Sequence, residues 1–208
     1  MKDLLNVINS LKSSEIKDLI NSRIKEFSQI KKSSINDIFR ELCFCIMTAN
    51  CSAEQCLQIH QNINDDFNYL SLEQLTERFK ELGYRFPNIR AKYITEAIDF
   101  KEELENIIKF REQETDIRDW LVKNINGLGY KEASHFLRNI GYKNYAIIDF
   151  HIVDLLVKYN LIKKPKTMTK RKYLEIEGIL QNLGEKVALN LAELDLYLWY
   201  METGKVLK

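Results

Sequence analysis

A lysine and an aspartate that lie 18 residues apart are the side chains of this sequence best suited to covalent chemistry. Lys131 is at the start of a predicted helix, and Asp149 starts another helix directly after the apolar pair Ile147-Ile148. A lysine amine can attack an electrophilic carbon, and an ionised carboxylate can stabilise the positive charge that develops there. Taken alone, the two residues are also explained as a helix-start lysine and a helix N-cap.

The segment before Lys131 contains two glycines, Gly127 and Gly129, between two predicted helices at about 117–140. Such glycines let the backbone turn tightly and present amide groups outward. Those amides, together with the positive end of the following helix, suit a phosphate group. The small Ala133 lets the two helices approach closely. The alternative interpretation is an ordinary corner between two core helices.

Helical periodicity dominates the whole chain, which has only two prolines and seven glycines. No long stretch alternates apolar and polar residues as a strand does, so the sequence predicts an all-α array of about ten helices. Residues 36–48 are apolar on most faces and should form the buried centre of a lobe. Ser52 and Ser71 are predicted helix starts. Near the end of the chain, helices are predicted over 170–182 and 185–202.

The charge balance does not by itself indicate a nucleic-acid partner, because 31 basic residues face 30 acidic ones. Any DNA-binding charge must therefore be local. The candidate is residues 155–174, a segment without acidic residues, and the alternative is a solvated loop and helix start. Its basic residues are Lys158, Lys163, Lys164, Lys166, Lys170, Arg171 and Lys172.

The four cysteines, Cys43, Cys45, Cys51 and Cys56, lie within 14 positions. Their spacing matches neither zinc nor iron–sulfur sites, so we expect buried free thiols and no metal or other cofactor. No apolar run approaches the roughly 18–20 residues that span a bilayer. The first residues predict no signal peptide, so a cytoplasmic location is expected.

The hairpin, its lysine and the spaced aspartate together resemble the helix-hairpin-helix DNA glycosylase superfamily. The resemblance implies two helical lobes, 1–35 plus 145–208 and 36–144, with the active site in the cleft between them. It also implies that Lys131 is the nucleophile, that Asp149 is the catalytic carboxylate, and that His151 lies near the DNA backbone. One departure is the loop at 141–145, which lacks the proline that the family usually has there.

Two further segments are similar to family motifs that contact DNA. Met47-Thr48-Ala49-Asn50 resembles the segment whose polar residue, here Asn50, enters the space left by the flipped base. Residues 82–86 and 89–93 resemble the wedge loop and its helix, so that Phe86 would push between base steps. The alternatives are a helix C-cap for Asn50 and an aromatic loop anchor for Phe86.

Residues 194–200 and 203–208, near the end of the chain, are similar to the archaeal-type 8-oxoguanine glycosylase/lyase family, as are residues 134–139 after Lys131. This implies that the chain, as a monomer, excises 8-oxoguanine from double-stranded DNA and nicks the abasic site. The main-chain carboxylate of Lys208 would read the lesion, Trp199 would stack on the flipped base, and Asp195 would touch the base or brace Trp199. The alternatives are a same-fold enzyme for another oxidised or mismatched base and a non-catalytic hairpin DNA-binding module.

Overall fold

The computed structural model describes residues 2–110 and 114–208, and only the backbone of 114–116. Within these ranges the chain forms twelve α-helices, one short 3-10 helix and no β-strand, so the predicted all-α class is confirmed. No helix in these ranges is long and apolar enough to cross a membrane. The α-helices are α1 (Lys2–Lys12), α2 (Ile16–Ile30), α3 (Ile35–Thr48), α4 (Ala53–Ile63), α5 (Leu72–Glu81), α6 (Pro87–Ile98), α7 (Lys101–Phe110), α8 (Glu114–Asn124), α9 (Tyr130–Asn139), α10 (Phe150–Lys158), α11 (Lys170–Lys186) and α12 (Leu191–Thr203).

The chain separates into two compact units. The central unit is Ile30–Phe136, and the terminal unit comprises the chain up to Gln29 together with Leu137–Lys208. These borders lie inside α2 and α9, whereas the lobes inferred from the sequence meet at the start of α3 and between α9 and α10.

Helix α3 is the buried centre of the central unit, as predicted. From Ile38 to Thr48 every side chain except Arg40 is buried. The helix starts at a capping box, in which the Ser34 hydroxyl accepts from the Asp37 amide and the Asp37 carboxylate accepts from the Ser34 amide. The predicted caps Ser52 and Ser71 are confirmed at the starts of α4 and α5.

The boundary between the last two helices differs from the prediction. Helix α11 continues to Lys186, and α12 starts only at Leu191, so the predicted helices over 170–182 and 185–202 were wrong at their junction. The break lies at Ala188, whose φ of 50° is left-handed, and Asn190 then caps α12. The 3-10 helix over Asn64–Asn68 was not predicted.

The terminal unit has an apolar cluster that joins α2 to α12. Ile20 and Phe27 of α2 pack with Leu196 and Tyr197 of α12. Val206, which follows α12, is buried in the same cluster and fixes the segment after that helix.

The two glycines of α11 give a paired test of how closely this helix approaches the segment that follows it. A Cβ at Gly184 would lie 2.6 Å from the carbonyl oxygen of Leu189, whereas one at Gly178 would meet nothing within 4 Å. We expect Gly184→Ala to lower the free energy of unfolding by about 1–3 kcal/mol through overpacking. Gly178→Ala should raise it by about 0.5–1 kcal/mol, because alanine favours a helix. Urea denaturation measures both, and equal effects would contradict the close approach at Gly184.

Candidate active site

The hairpin before α9 lies against α6 in the central unit. Gly127 has a φ of 87°, a left-handed value that suits glycine. A Cβ at this position would lie 2.6 Å from Cδ2 of Tyr93, so the ring of Tyr93 also excludes any side chain. Next to it, the side-chain nitrogen Nδ2 of Asn126 donates to Oε2 of Glu96 over 3.0 Å. The tight turn expected at Gly127 is therefore present and is held by two residues of α6.

Gly129 serves the turn in another way, since its backbone is not left-handed. Its amide donates to Oε2 of Glu132 over 3.2 Å. The other oxygen of that carboxylate lies 3.8 Å from Nζ of Lys131, whose side chain is 25% exposed. One carboxylate therefore contacts both the second glycine of the hairpin and the predicted nucleophile.

Three contacts between α8 and α9 hold the helix start that carries Lys131. The buried guanidinium of Arg118 donates to the hydroxyl of Ser134 over 3.2 Å and lies 5.2 Å from the ring of Tyr130. The hydroxyl of Tyr130 in turn donates to Asp119. Sequence reasoning missed Arg118, because a lone arginine in an amphipathic helix gives no sign of being buried.

Asp149 lies in the terminal unit and caps α10, as predicted. Its Oδ1 accepts a hydrogen bond from the amide of Ile152 over 2.9 Å. The backbone bond fixes the direction of the carboxylate at the helix start.

The extended segment before Asp149 is held by α11. The hydroxyl of Tyr173, a buried residue, donates to the carbonyl of Ala146 over 2.7 Å and accepts from the amide of Ile148 over 3.2 Å. The carboxylate of Glu177 accepts from the amide of Ala146 over 2.9 Å. Neither residue was found from the sequence, because each is more than 20 positions from the segment it binds and belongs to no motif.

Three aromatic side chains form a contact series from α10 to α12. The ring of Phe150 lies 3.9 Å from that of His151 between centroids, and His151 meets Trp199 edge-on at 5.0 Å. Phe150 is 68% exposed. The structure therefore brings two predicted site residues, His151 and Trp199, into contact.

The other two residues predicted to recognise the base have different surroundings. Asp195 forms an ion pair of 3.2 Å with Arg138, and their side chains are only 10% and 4% exposed. Arg138 also lies 4.8 Å from the ring of Phe27. Lys208 is half-buried two residues after the buried Val206, so the segment is packed rather than frayed.

Asn50 lies in a tight turn of the central unit with a left-handed φ of 59°. The C-cap of α3 is Ala49, so Asn50 itself is not the cap. Three donors bind the carbonyl groups of this turn: Tyr84 to Met47 over 2.7 Å, Arg90 to Ala49 over 3.0 Å, and Arg85 to Asn50 over 3.5 Å.

Phe86 is half-buried immediately before Pro87, the first residue of α6. The guanidinium groups of Arg85 and Arg90 lie 4.9 and 5.8 Å from its ring centroid. The same arginines bind the turn at Asn50. Asn50 and Phe86, the two residues of the central unit that are predicted to contact DNA, are therefore held by the same two side chains.

The basic segment is less positive than its sequence indicates, because acids just outside it supply partners. Lys164 pairs with Asp154 at 2.5 Å, while Lys172 and Arg171 pair with Glu175 at 2.8 and 3.6 Å. Four further lysines of the segment are exposed to solvent, namely Lys158, Lys163, Lys166 and Lys170.

The four cysteines are free thiols, as predicted, and three of them are buried. Burial raises the pKa of Cys43 and of Cys56 above its ordinary value, so both are thiols rather than thiolates at neutral pH. Cys51 is half-buried.

Sequence comparison places these features in a known family. A family profile described as 8-oxoguanine DNA glycosylase matches residues 20–189. The chain is 53% identical over 206 residues to the 8-oxoguanine DNA glycosylase/AP lyase of Methanocaldococcus jannaschii, and the match covers 99% of each chain. It is 49% identical over 207 residues to the protein of that name from Korarchaeum cryptofilum, covering 99% of this chain and 98% of the relative.

Solved structures agree with the sequence comparison. The crystal structure of the M. jannaschii 8-oxoguanine glycosylase/lyase in complex with 15mer DNA containing 8-oxoguanine matches with a TM-score of 0.95 at 52% identity, covering 99% of each chain. The 8-oxoguanine DNA glycosylase of Thermotoga maritima matches with a TM-score of 0.93 at 38% identity, covering 100% of this chain and 99% of that one. The predicted fold, that of the helix-hairpin-helix DNA glycosylases, is thus confirmed. Within that class, the chain belongs to the 8-oxoguanine DNA glycosylase family.

Removing the hydroxyl of Tyr173 tests how the segment before Asp149 is held. Tyr173→Phe leaves the buried carbonyl of Ala146 and amide of Ile148 without that partner, which should lower the free energy of unfolding by about 1–3 kcal/mol. Amide exchange at Ile148 should also become faster.

The matched control is Ile176→Val on the same helix, α11. It should cost about 0.5–1.5 kcal/mol without a selective change at Ile148. If both variants change exchange at Ile148 equally, Tyr173 does not hold the segment.

Proposed function

We propose that this chain excises 8-oxoguanine from double-stranded DNA and then nicks the abasic site. The observation that carries the proposal is the 53% identity, over 99% of both chains, to a relative named 8-oxoguanine DNA glycosylase/AP lyase. A structure with a TM-score of 0.95 supports it, since that relative is in complex with DNA containing 8-oxoguanine.

In the proposed reaction Lys131 is the nucleophile. The lesion nucleotide must first leave the base stack, at a cost of a few kcal/mol. The neutral amine then attacks the anomeric carbon as the bond to the base breaks, and the base leaves with the electron pair. Ring opening gives a Schiff base, which makes the neighbouring sugar hydrogen acidic. Loss of that proton expels the 3′ phosphate by β-elimination.

Asp149 is proposed to stabilise the cationic sugar while the base leaves. An ionised carboxylate that is already oriented needs no reorganisation when the charge develops. The hydrogen bond from Ile152 supports this role, because it fixes the carboxylate at the start of α10.

Base selection is assigned to Lys208 and Trp199. 8-Oxoguanine has an N–H at ring position 7, where guanine has an acceptor, so an anionic acceptor favours the lesion. We assign that acceptor to the main-chain carboxylate of Lys208, and the burial of Val206 supports this by fixing the segment. Stacking on Trp199 would contribute about 1–3 kcal/mol. The predicted contact of Asp195 with the base is a further proposal, beside its ion pair with Arg138.

The remaining predicted contacts are to the DNA itself. Gly127 and Gly129 would hold the phosphates beside the lesion, and His151 would contact the backbone. Asn50 would enter the space of the flipped base, and Phe86 would wedge between base steps. We also propose that the protein acts as a monomer, because all the proposed site residues lie on one chain. Its proposed location is the cytoplasm, where prokaryotic DNA lies.

Borohydride trapping on duplex DNA containing 8-oxoguanine tests the proposed chemistry. Reduction of the Schiff base should join the wild-type protein covalently to DNA, and Lys131→Gln should lose the adduct. The matched control, Lys123→Gln on the other helix of the hairpin, should retain it.

The alternatives give different results in the same assay. No adduct from the wild-type protein on 8-oxoguanine or abasic DNA would indicate a non-catalytic binding module. Trapping only on another lesion would indicate a same-fold enzyme with a different substrate.

Extending the chain beyond Lys208 tests base selection. Extra residues convert the proposed carboxylate into an amide, which has lost the negative charge and gained an N–H, so it favours the N–H of the lesion over the acceptor of guanine less strongly. We expect excision of 8-oxoguanine to fall at least tenfold relative to guanine, a ratio that corresponds to about 1.4 kcal/mol. The same tag before Met1 is the control. Unchanged selectivity would remove Lys208 from the proposal.

A further inference from the structure

The carboxylate of Glu132 connects two parts of the hairpin that the proposed reaction uses separately. One oxygen accepts from the amide of Gly129 over 3.2 Å. The other lies 3.8 Å from Nζ of Lys131, and the Glu132 side chain is only 16% exposed. The backbone turn and the proposed nucleophile are therefore held by a single side chain.

The position of Glu132 in the helix explains the first contact. Gly129 accepts the first backbone hydrogen bond of α9, from Ala133 over 2.9 Å, and is therefore its N-cap. A glycine has no side chain with which to cap the helix. A glutamate at the third helical position can accept from the amide of the N-cap residue itself, which is the other half of a capping box, and Glu132 does so here.

Gly129 gives Glu132 the space that this contact needs. A Cβ on Gly129 would lie 3.1 Å from Oε2 of Glu132, closer than an ordinary van der Waals contact. Since the backbone of Gly129 is not left-handed, conformational freedom does not require a glycine here. A side chain at this position would instead force the carboxylate of Glu132 to shift by a few tenths of an ångström.

The second contact restrains the protonated side chain of Lys131. The neutral amine that attacks keeps N–H groups that can donate to the same carboxylate. A lysine side chain has four carbons between Cα and its nitrogen and adopts many conformations. An ion pair with a mostly shielded carboxylate is less weakened by solvent than an exposed one. A reacting atom held near its target gains rate, and displacement by about 1 Å can cost about a hundredfold.

We propose that Glu132 is a positioning residue of the lyase reaction, which holds the Lys131 amine at the hairpin, and that Gly129 admits its carboxylate. This proposal rests on the proposed function of Lys131. It gives the amide of Gly129, which was predicted to bind a phosphate, to the carboxylate of Glu132.

The test measures the single-turnover rate of borohydride-trapped adduct at saturating 8-oxoguanine DNA, together with DNA affinity. Glu132→Ala should lower the rate about tenfold. Glu132→Gln keeps an oxygen for the Gly129 amide but loses the charge that holds Lys131. It should therefore keep the wild-type melting temperature and DNA affinity and still lose rate.

Gly129→Ala supplies the decisive comparison. If its only effect is to displace the carboxylate, it lowers the rate about tenfold, and the double variant Gly129→Ala/Glu132→Ala is no slower than the slower single variant. A double variant about a hundredfold slower than wild type would show independent roles and overturn the proposal.

Other outcomes also decide the question. A wild-type or faster rate in Glu132→Gln, with unchanged DNA affinity, would overturn the positioning role while leaving Lys131 as nucleophile. No adduct from the wild-type protein would instead overturn the proposed function, and the role of Glu132 with it. The isosteric Gln variant keeps the test valid if either alanine variant fails to fold.

Discussion

The contact between the hairpin and α6 is the constraint on which the central unit depends. Gly127 lies so close to the ring of Tyr93 that no other residue fits, and this fixes the turn from which α9 starts. The same helix carries Arg90, which binds the turn before Asn50 and lies over Phe86. A single helix therefore supports the hairpin of the proposed nucleophile and both turns that are predicted to contact DNA.

In the terminal unit, two sets of hydrogen bonds hold the carboxylate of Asp149 and the residues before it. Asp149 is bound to its own helix through the amide of Ile152. The residues before it are bound to α11 through Tyr173 and Glu177. The two proposed catalytic groups thus have the same kind of support, in which a local helix start is combined with side chains from elsewhere in the same unit.

Whether a feature could be predicted from the sequence depended on how far apart along the chain its interacting residues lie. The hairpin, the caps and the buried α3 depend on neighbouring residues, so their patterns were visible. Tyr173 and Arg118 act through contacts that only the folded chain creates, and Asp195 has a buried arginine as its partner. The predicted junction of the last two helices was wrong: α11 continues through Gly184, which lies close to the backbone of Leu189, a contact that only the folded chain creates.

The paired charges around residues 155–174 have a consequence for how the protein searches DNA. Three of the basic residues there are matched by Asp154 and Glu175, and the whole chain carries a net charge of only +1. Because attraction to undamaged DNA depends on how many phosphates are neutralised, the basic residues that already have acidic partners would add little to it. A long residence time on DNA would then depend on the flipped nucleotide rather than on the charge of this segment.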